Sequence, residues 1–400
     1  MRKIICIVVV SAFVLGSKSQ AQCPGGRYVN QIFSSVNVDS VVYSTPYNLK
    51  MDIYQPAGDT LSARPVIILA HEGSFVDGTR ESDVTVDSLC MRFARRGYVT
   101  VSIDYRLGNL VNMLTDSSAA VAEVIQAMGD GKAAVRFFVK DAATVNTYKI
   151  DTNNIFIGGN SAGAVLYMHV GYVESISDCP ADIVAAMDSN GGFEGNSGNA
   201  GYTTRSKAIV DLAGGLNDPS FVMAGGKPSV NAQGTLDNVV PYTCGLALEG
   251  YVNVTLCGLG TLEPIYVADD IYHMSLVFPG LGHVPWDTSA TDFKSVDSIV
   301  TLFLYNMVCT DVTSVNAIPN AADVSLYPNP VSDVLNISSS QALGEVELLD
   351  ETGRIVLKEP GANRQDVEIN TVQFAKGVYF VKLKFADGAV APMVKNIVVE

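Results

Sequence analysis

From Tyr47 to about Cys309, short apolar runs alternate with stretches whose apolar residues recur every three or four positions. Val66 to Ala70, Val99 to Ile103, Ile155 to Gly158, Ile209 to Ala213 and Met274 to Phe278 are rich in aliphatic residues, which predicts strands covered on both faces. Val230 to Gln233 is a further strand candidate. Between these runs, Val86, Leu89, Cys90 and Phe93 mark a helix stopping at Gly97. Ala119 to Ala143 marks a longer helix with Gly129 and Gly131 as candidate kinks, and Val165 to Val170 a third. The alternation predicts an α/β domain, a mostly parallel sheet with helices on both faces.

After Asn316 the pattern changes. Pro319, Pro328 and Pro330 punctuate a linker and a sheet edge, and the rest of the chain shows period-two alternation. Tyr379, Val381, Leu383 and Phe385 share one face while Lys382 and Lys384 take the other, as in a half-buried antiparallel strand. With strands near Val334 to Ile337, Glu345 to Leu349 and Ile355 to Leu357, this predicts a small all-β sandwich.

At the other end, Arg2 and Lys3 precede the apolar run Ile4 to Leu15 and the small residues around Ala21, the layout of a signal peptide. The run falls short of the roughly 20 residues a membrane-crossing helix requires, and no transmembrane span is expected. The expected organisation is a signal peptide at 1–21, an α/β domain at 22–312, a linker at 313–323 and a β domain at 324–400. A lipid anchor on Cys23 is the alternative to simple cleavage.

A chain of 400 residues, 48% hydrophobic, suffices for a large core plus a smaller domain. The net charge of -15 argues against nucleic-acid partners, which are held by clustered Lys and Arg. Export places cysteines where disulfides persist. Removing Cys6 with the signal leaves Cys23, Cys90, Cys179, Cys244, Cys257 and Cys309; six cysteines allow 15 pairings, of which Cys244 with Cys257 is the natural local one. His71, His169, His273 and His283 form no ligand-like cluster, so no metal or organic cofactor is implied.

The candidate chemistry centres on Gly159-Asn160-Ser161-Ala162-Gly163, after one strand candidate and before a helical run. With 35 glycines in the chain the pentapeptide alone is a weak signal. Its place between strand and helix makes it a candidate nucleophile elbow, in which flanking glycines relieve a sharp turn. A serine hydroxyl needs a base to take its proton and a carboxylate to orient that base. Asp237 and His283 follow in the order this fold uses, each in a loop just past a strand candidate, where such sheets place their chemistry. Asp237 also reads as a plain turn residue, with Asp188 and Asp211 as fallback acids. His273 precedes its strand, at the wrong end, and His169 reads as packing on the helix behind the serine. For the charge that develops on a carbonyl oxygen, the candidate donors are the N–H groups of Ala162, Gly73 and Ser74. Trp286 and the Gly/Asn-rich stretch Gly191 to Tyr202 are candidates for shaping a pocket, and the stretch also reads as a flexible surface excursion.

These residues, with Leu49-Lys-Met-Asp-Ile-Tyr-Gln-Pro56 and Arg96-Gly-Tyr-Val-Thr-Val-Ser-Ile-Asp-Tyr-Arg106, resemble the α/β-hydrolase superfamily over about Tyr47 to Cys309. The resemblance is to carboxylesterases of the hormone-sensitive-lipase and feruloyl-esterase-like groups. One departure is His71-Glu72-Gly73-Ser74, where such esterases carry a glycine second; Glu72 adds negative charge where an oxyanion would form. The tail resembles the type A C-terminal sorting domain of type IX secretion, through Leu326-Tyr-Pro-Asn-Pro-Val-Ser-Asp-Val-Leu-Asn-Ile337, Asp350-Glu-Thr-Gly-Arg354, Gly377-Val-Tyr-Phe-Val381 and Lys395-Asn-Ile-Val-Val399. Taken without that resemblance it reads as a generic β-sandwich, such as a carbohydrate-binding module. The resemblances imply the type IX secretion machinery as a partner, a secreted or cell-surface location, and a serine hydrolase of small-molecule or polysaccharide esters, with acetyl and feruloyl groups as expected acyl parts. A serine peptidase on the same scaffold and a noncatalytic surface-binding protein are the rival readings.

Overall fold

The computed structural model describes residues 23–309, 324–350, 354–386 and 393–399. The expected signal peptide and linker 313–323 lie outside them. Among the described residues no helix is long and apolar enough to cross a membrane.

In chain order the first part contains β1 (Val36–Ser44), β2 (Leu49–Pro56), β3 (Arg64–Ala70), α1 (Val84–Arg96), β4 (Val99–Ile103), α2 (Leu110–Thr115), α3 (Ser117–Ala143), β5 (Ile150–Asn160), α4 (Ala162–Tyr172), α5 (Ala181–Ser189), β6 (Ala208–Leu212) and β7 (Ser229–Gly234). There follow β8 (Cys244–Ala247), β9 (Val252–Cys257), α6 (Leu259–Ala268), β10 (His273–Phe278) and α7 (Ala290–Cys309). Eight strands form one sheet in the order β1-β2-β4-β3-β5-β6-β7-β10, parallel from β4 to β10, with β1 and β2 antiparallel at one edge. Successive side chains of a strand point to opposite faces. Accordingly Val66, Ile68 and Ala70 join the core under α3 and α4, while Ile67 and Leu69 join the core under α1 and α7. Burying such a side chain contributes roughly 1.5–3 kcal/mol, which is why β3, covered on both faces, is apolar from Pro65 to Ala70.

Parallel register aligns the strand ends. Ala70 pairs with Gly159, Asn160 with Leu212, Leu212 with Ala232 and Gly234 with Phe278, so the segments after β3, β5, β6, β7 and β10 leave the sheet on one rim. The chain turns back between β3 and β5, opening a crevice there of the kind that holds ligands in such sheets.

Three expectations are corrected. Helix α3 runs unbroken through Gly129 and Gly131, which serve as contact points: a Cβ on Gly131 would lie 2.6 Å from Leu166 Cδ2, and one on Gly129 3.3 Å from the Gly195 Cα. Cys23 is in a disulfide with Cys309, so its sulfur is not available to carry a lipid. The stretch Gly191 to Tyr202 is pinned to α3: Arg136 donates to Glu194 O and Gly198 O, Lys132 to Phe193 O, and Ser197 bonds Asp130. The local pair Cys244–Cys257 forms as expected and closes the hairpin of β8 and β9.

The tail is an antiparallel sheet of five strands, β11 (Val324–Tyr327), β12 (Val334–Leu349), β13 (Ile355–Asn370), β14 (Gly377–Phe385) and β15 (Met393–Val399). Irregular pairing near Ser338 and Leu343 divides β12, and residues from both halves share one core with β14. On the other face Lys382 and Lys384 meet Glu347.

Candidate active site

Ser161 stands between β5 and α4 with φ 49° and ψ -114°, a conformation costly for a residue with a side chain. The surroundings hold it there: Ser161 N–H donates to Leu212 O at 2.8 Å, and α4 begins at the next residue. A Cβ on Gly163 would lie 2.0 Å from Ala70 O, and one on Gly159 2.5 Å from the same atom, so the elbow closes onto β3 only with glycine on both sides.

The three residues singled out by chain order converge on the shared rim. His283 Nε2 lies 2.7 Å from Ser161 Oγ, and His283 Nδ1 lies 2.8 Å from Asp237 Oδ2. The Asp237 carboxylate is fully buried and accepts from Val239 N–H at 3.0 Å, Val240 N–H at 3.1 Å and Gln233 Nε2 at 3.3 Å. An Nδ1–H tautomer of His283 satisfies both contacts, since it donates to Asp237 and leaves Nε2 to accept the serine proton. Among the competing residues, His273 opens β10 at the opposite end of the sheet, with Nδ1 at 2.8 Å from Ile271 O. Asp188 lies on α5, and Asp211 is buried in β6, accepting from Gly214 N–H at 2.8 Å. Burial raises the Asp211 carboxyl to about 7.

The loop after β3 is braced by a buried His71, which donates to Glu72 O and stacks on Tyr105 with ring centroids 4.2 Å apart. Burial holds the His71 imidazole below its ordinary value and so keeps it neutral. Gly73 has φ 115°, and its carbonyl accepts from Val76 and Asp77 N–H, so it makes the turn. Ser74 and Phe75, both at positive φ, face the same cavity as Ser161 and Ala162. Phase-setting of the turn thus falls on residues 73 to 75, and Glu72 keeps a negative φ that any side chain adopts. Its N–H donates to Asp83 at 2.9 Å, and its carboxyl is raised to about 7 by burial and by the charges of Asp83 and Asp287.

Beside Ser161 opens an apolar pocket. Its walls come from α2, α3, α4, α5 and the β8–β9 hairpin, through residues such as Met113, Val124, Met128, Val165, Met187 and Leu256. His169 reaches this pocket as well as packing, with Nε2 2.8 Å from Asn217 Oδ1. Trp286 does not line it: the indole is buried and donates to Asn160 Oδ1 at 3.2 Å. The pinned stretch Gly191 to Tyr202 is likewise absent from its walls. The wall residues were missed because apolar helix positions look the same whether they face a core or a cavity.

Residues 51–218 match the BD-FAE family model, and residues 325–400 match that of the secretion system C-terminal sorting domain. No curated protein matches the chain. Among solved structures, the thermophilic esterase Est2 of the Planctomycetes species Thermogutta terrifontis, with propionate bound, is 19% identical; the match covers 68% of this chain and 95% of that one at a TM-score of 0.50. The form of that esterase phosphorylated by paraoxon is 20% identical, with 68% and 95% covered and a TM-score of 0.51. These likenesses support the fold. The chain carries an α/β-hydrolase-like esterase domain followed by a type IX sorting domain, which marks it for export to the cell surface or beyond.

Proposed function

We propose that the protein cleaves carboxylic esters through an acyl-enzyme on Ser161. His283 Nε2 takes the hydroxyl proton as Oγ attacks the carbonyl carbon, and Asp237 orients the ring and stabilises its positive charge. The tetrahedral oxyanion is received by the N–H of Ala162 and by N–H groups of the loop after β3, where Gly73 and Ser74 were expected and Phe75 is an additional candidate. His283 then returns the proton to the departing alcohol, and a water molecule repeats the sequence to release the acid. The observation that carries this reading is the unbroken chain from Asp237 through His283 to Ser161, ending at the mouth of an apolar pocket.

The pocket supports an apolar acyl group larger than acetyl; a feruloyl group meets that requirement and so does an aliphatic chain. Glu72, which departs from the esterase pattern, keeps a negative φ that leaves the loop free to turn at Gly73, and this favours the catalytic reading over a noncatalytic one. A fluorophosphonate probe should label Ser161, located by peptide mapping, and Ser161→Ala should abolish hydrolysis of p-nitrophenyl butyrate. Undiminished hydrolysis by that variant, or labelling of another serine, overturns the assignment.

A further inference from the structure

Helix α2 turns Met113 into the pocket and leaves Leu110, Val111 and Leu114 toward solvent, with Val111 66% exposed. It packs against β9, whose hairpin places Ala247, Leu248 and Val252 on the pocket wall and leaves Leu246 and Tyr251 outside, Tyr251 at 71% exposure. Both elements therefore put one apolar side on the pocket and a second apolar side on the surface beside it. Single exposed hydrophobic residues are ordinary, but five of them on the two elements that wall an apolar cavity mark a surface that meets something apolar.

We propose that α2 and the β8–β9 hairpin seat the enzyme on a neutral lipid surface, from which the pocket draws the aliphatic acyl chain of an ester. This rests on the ester-hydrolase reading above and adds the form in which the substrate is met. Charge selects the occupant. Residues 107–131 contain no Lys or Arg, the hairpin from Cys244 to Cys257 contains none, and the whole chain is at -15. These two segments offer no cation to anionic headgroups, and an uncharged ester aggregate suits them. A polysaccharide chain, hydrated along its length, gains little from Leu110, Val111 and Leu114.

The test compares the full chain with Val111→Glu/Leu114→Glu on emulsified trioctanoin and on soluble p-nitrophenyl butyrate. Neither residue lines the pocket, so the soluble rate should stay within about twofold, while emulsion hydrolysis falls about tenfold or more through loss of two apolar anchors. In parallel, the Ser161→Ala chain should float with trioctanoin droplets and its Val111→Glu/Leu114→Glu derivative should not. If the helix variant fails to fold, Leu246→Asp/Tyr251→Asp on the hairpin supplies the same comparison. Equal emulsion rates in variant and parent, absence of flotation, or a loss seen on feruloylated arabinoxylan in place of the emulsion overturns the proposal. A parent chain inactive on every soluble ester defeats the underlying reading instead, and flotation still decides the lipid contact.

Discussion

On one side of Ser161 the cleft is polar and bonded residue by residue, with His283 held by Asp237 and Asp237 held by Val239, Val240 and Gln233. On the other it is apolar, and Met113, Val124, Met128 and Leu256 hold it by packing. Directional bonds fix atoms to fractions of an ångström, whereas packing fixes volume. The polar wall should therefore govern the rate on every ester, and the apolar wall should govern which ester is preferred.

The sharpest break is Asp237→Asn. With the orienting charge gone and the tautomer lost, kcat on p-nitrophenyl butyrate should fall by roughly 10³ to 10⁴. An unchanged kcat would remove Asp237 from the chain. Next is the hairpin that frames the apolar wall. Cys244 and Cys257 are 13 positions apart, and for a loop of that size the chain-entropy account gives about 3 kcal/mol. Cys244→Ala/Cys257→Ala should lower the melting temperature measured by calorimetry. Packing comes third: Val124→Trp, which fills the pocket from α3, should lower kcat/KM on an octanoate ester by about tenfold or more and spare butyrate. An equal loss on both chain lengths would mean that the pocket does not receive the acyl group.

The smallest effect concerns Glu72, on the polar side. Burial raises its carboxyl to about 7 from an ordinary value near 4.5, so the folded chain holds that proton more tightly than the unfolded one. The stability tied to it is full below about 4.5, declines as pH rises toward 7, and is lost above. Glu72→Gln should match the parent in melting temperature at pH 4.5 and exceed it slightly at pH 8. A difference already complete at pH 4.5 would give the residue some other role.

How far each part was legible follows from the same contrast. Ser161, Asp237 and His283 stand in loops after aliphatic runs, and an ionisable residue in such a loop is conspicuous. The stretch Gly191 to Tyr202 looked mobile because glycine and asparagine disfavour regular structure. It is instead held by Lys132 and Arg136, two charged residues of α3 that are both buried. Burial draws the Lys132 amine down to about 8.

The order of residues along the chain determined the alternation of strands and helices, hence the parallel sheet, the rim on which its loops emerge, and the elbow that only glycine permits beside β3. The elements are local, set by periodicity and by backbone sterics, and the two glycines mark in advance where the elbow closes onto Ala70. Tertiary structure alone decided the apolar side of the cleft: that α2, α3, α5 and a disulfide-closed hairpin meet around an apolar pocket, and that Trp286 turns away from it to Asn160. Side chains of one chemistry fill a core or line a cavity according to what arrives opposite them, and that is set by contacts between distant segments.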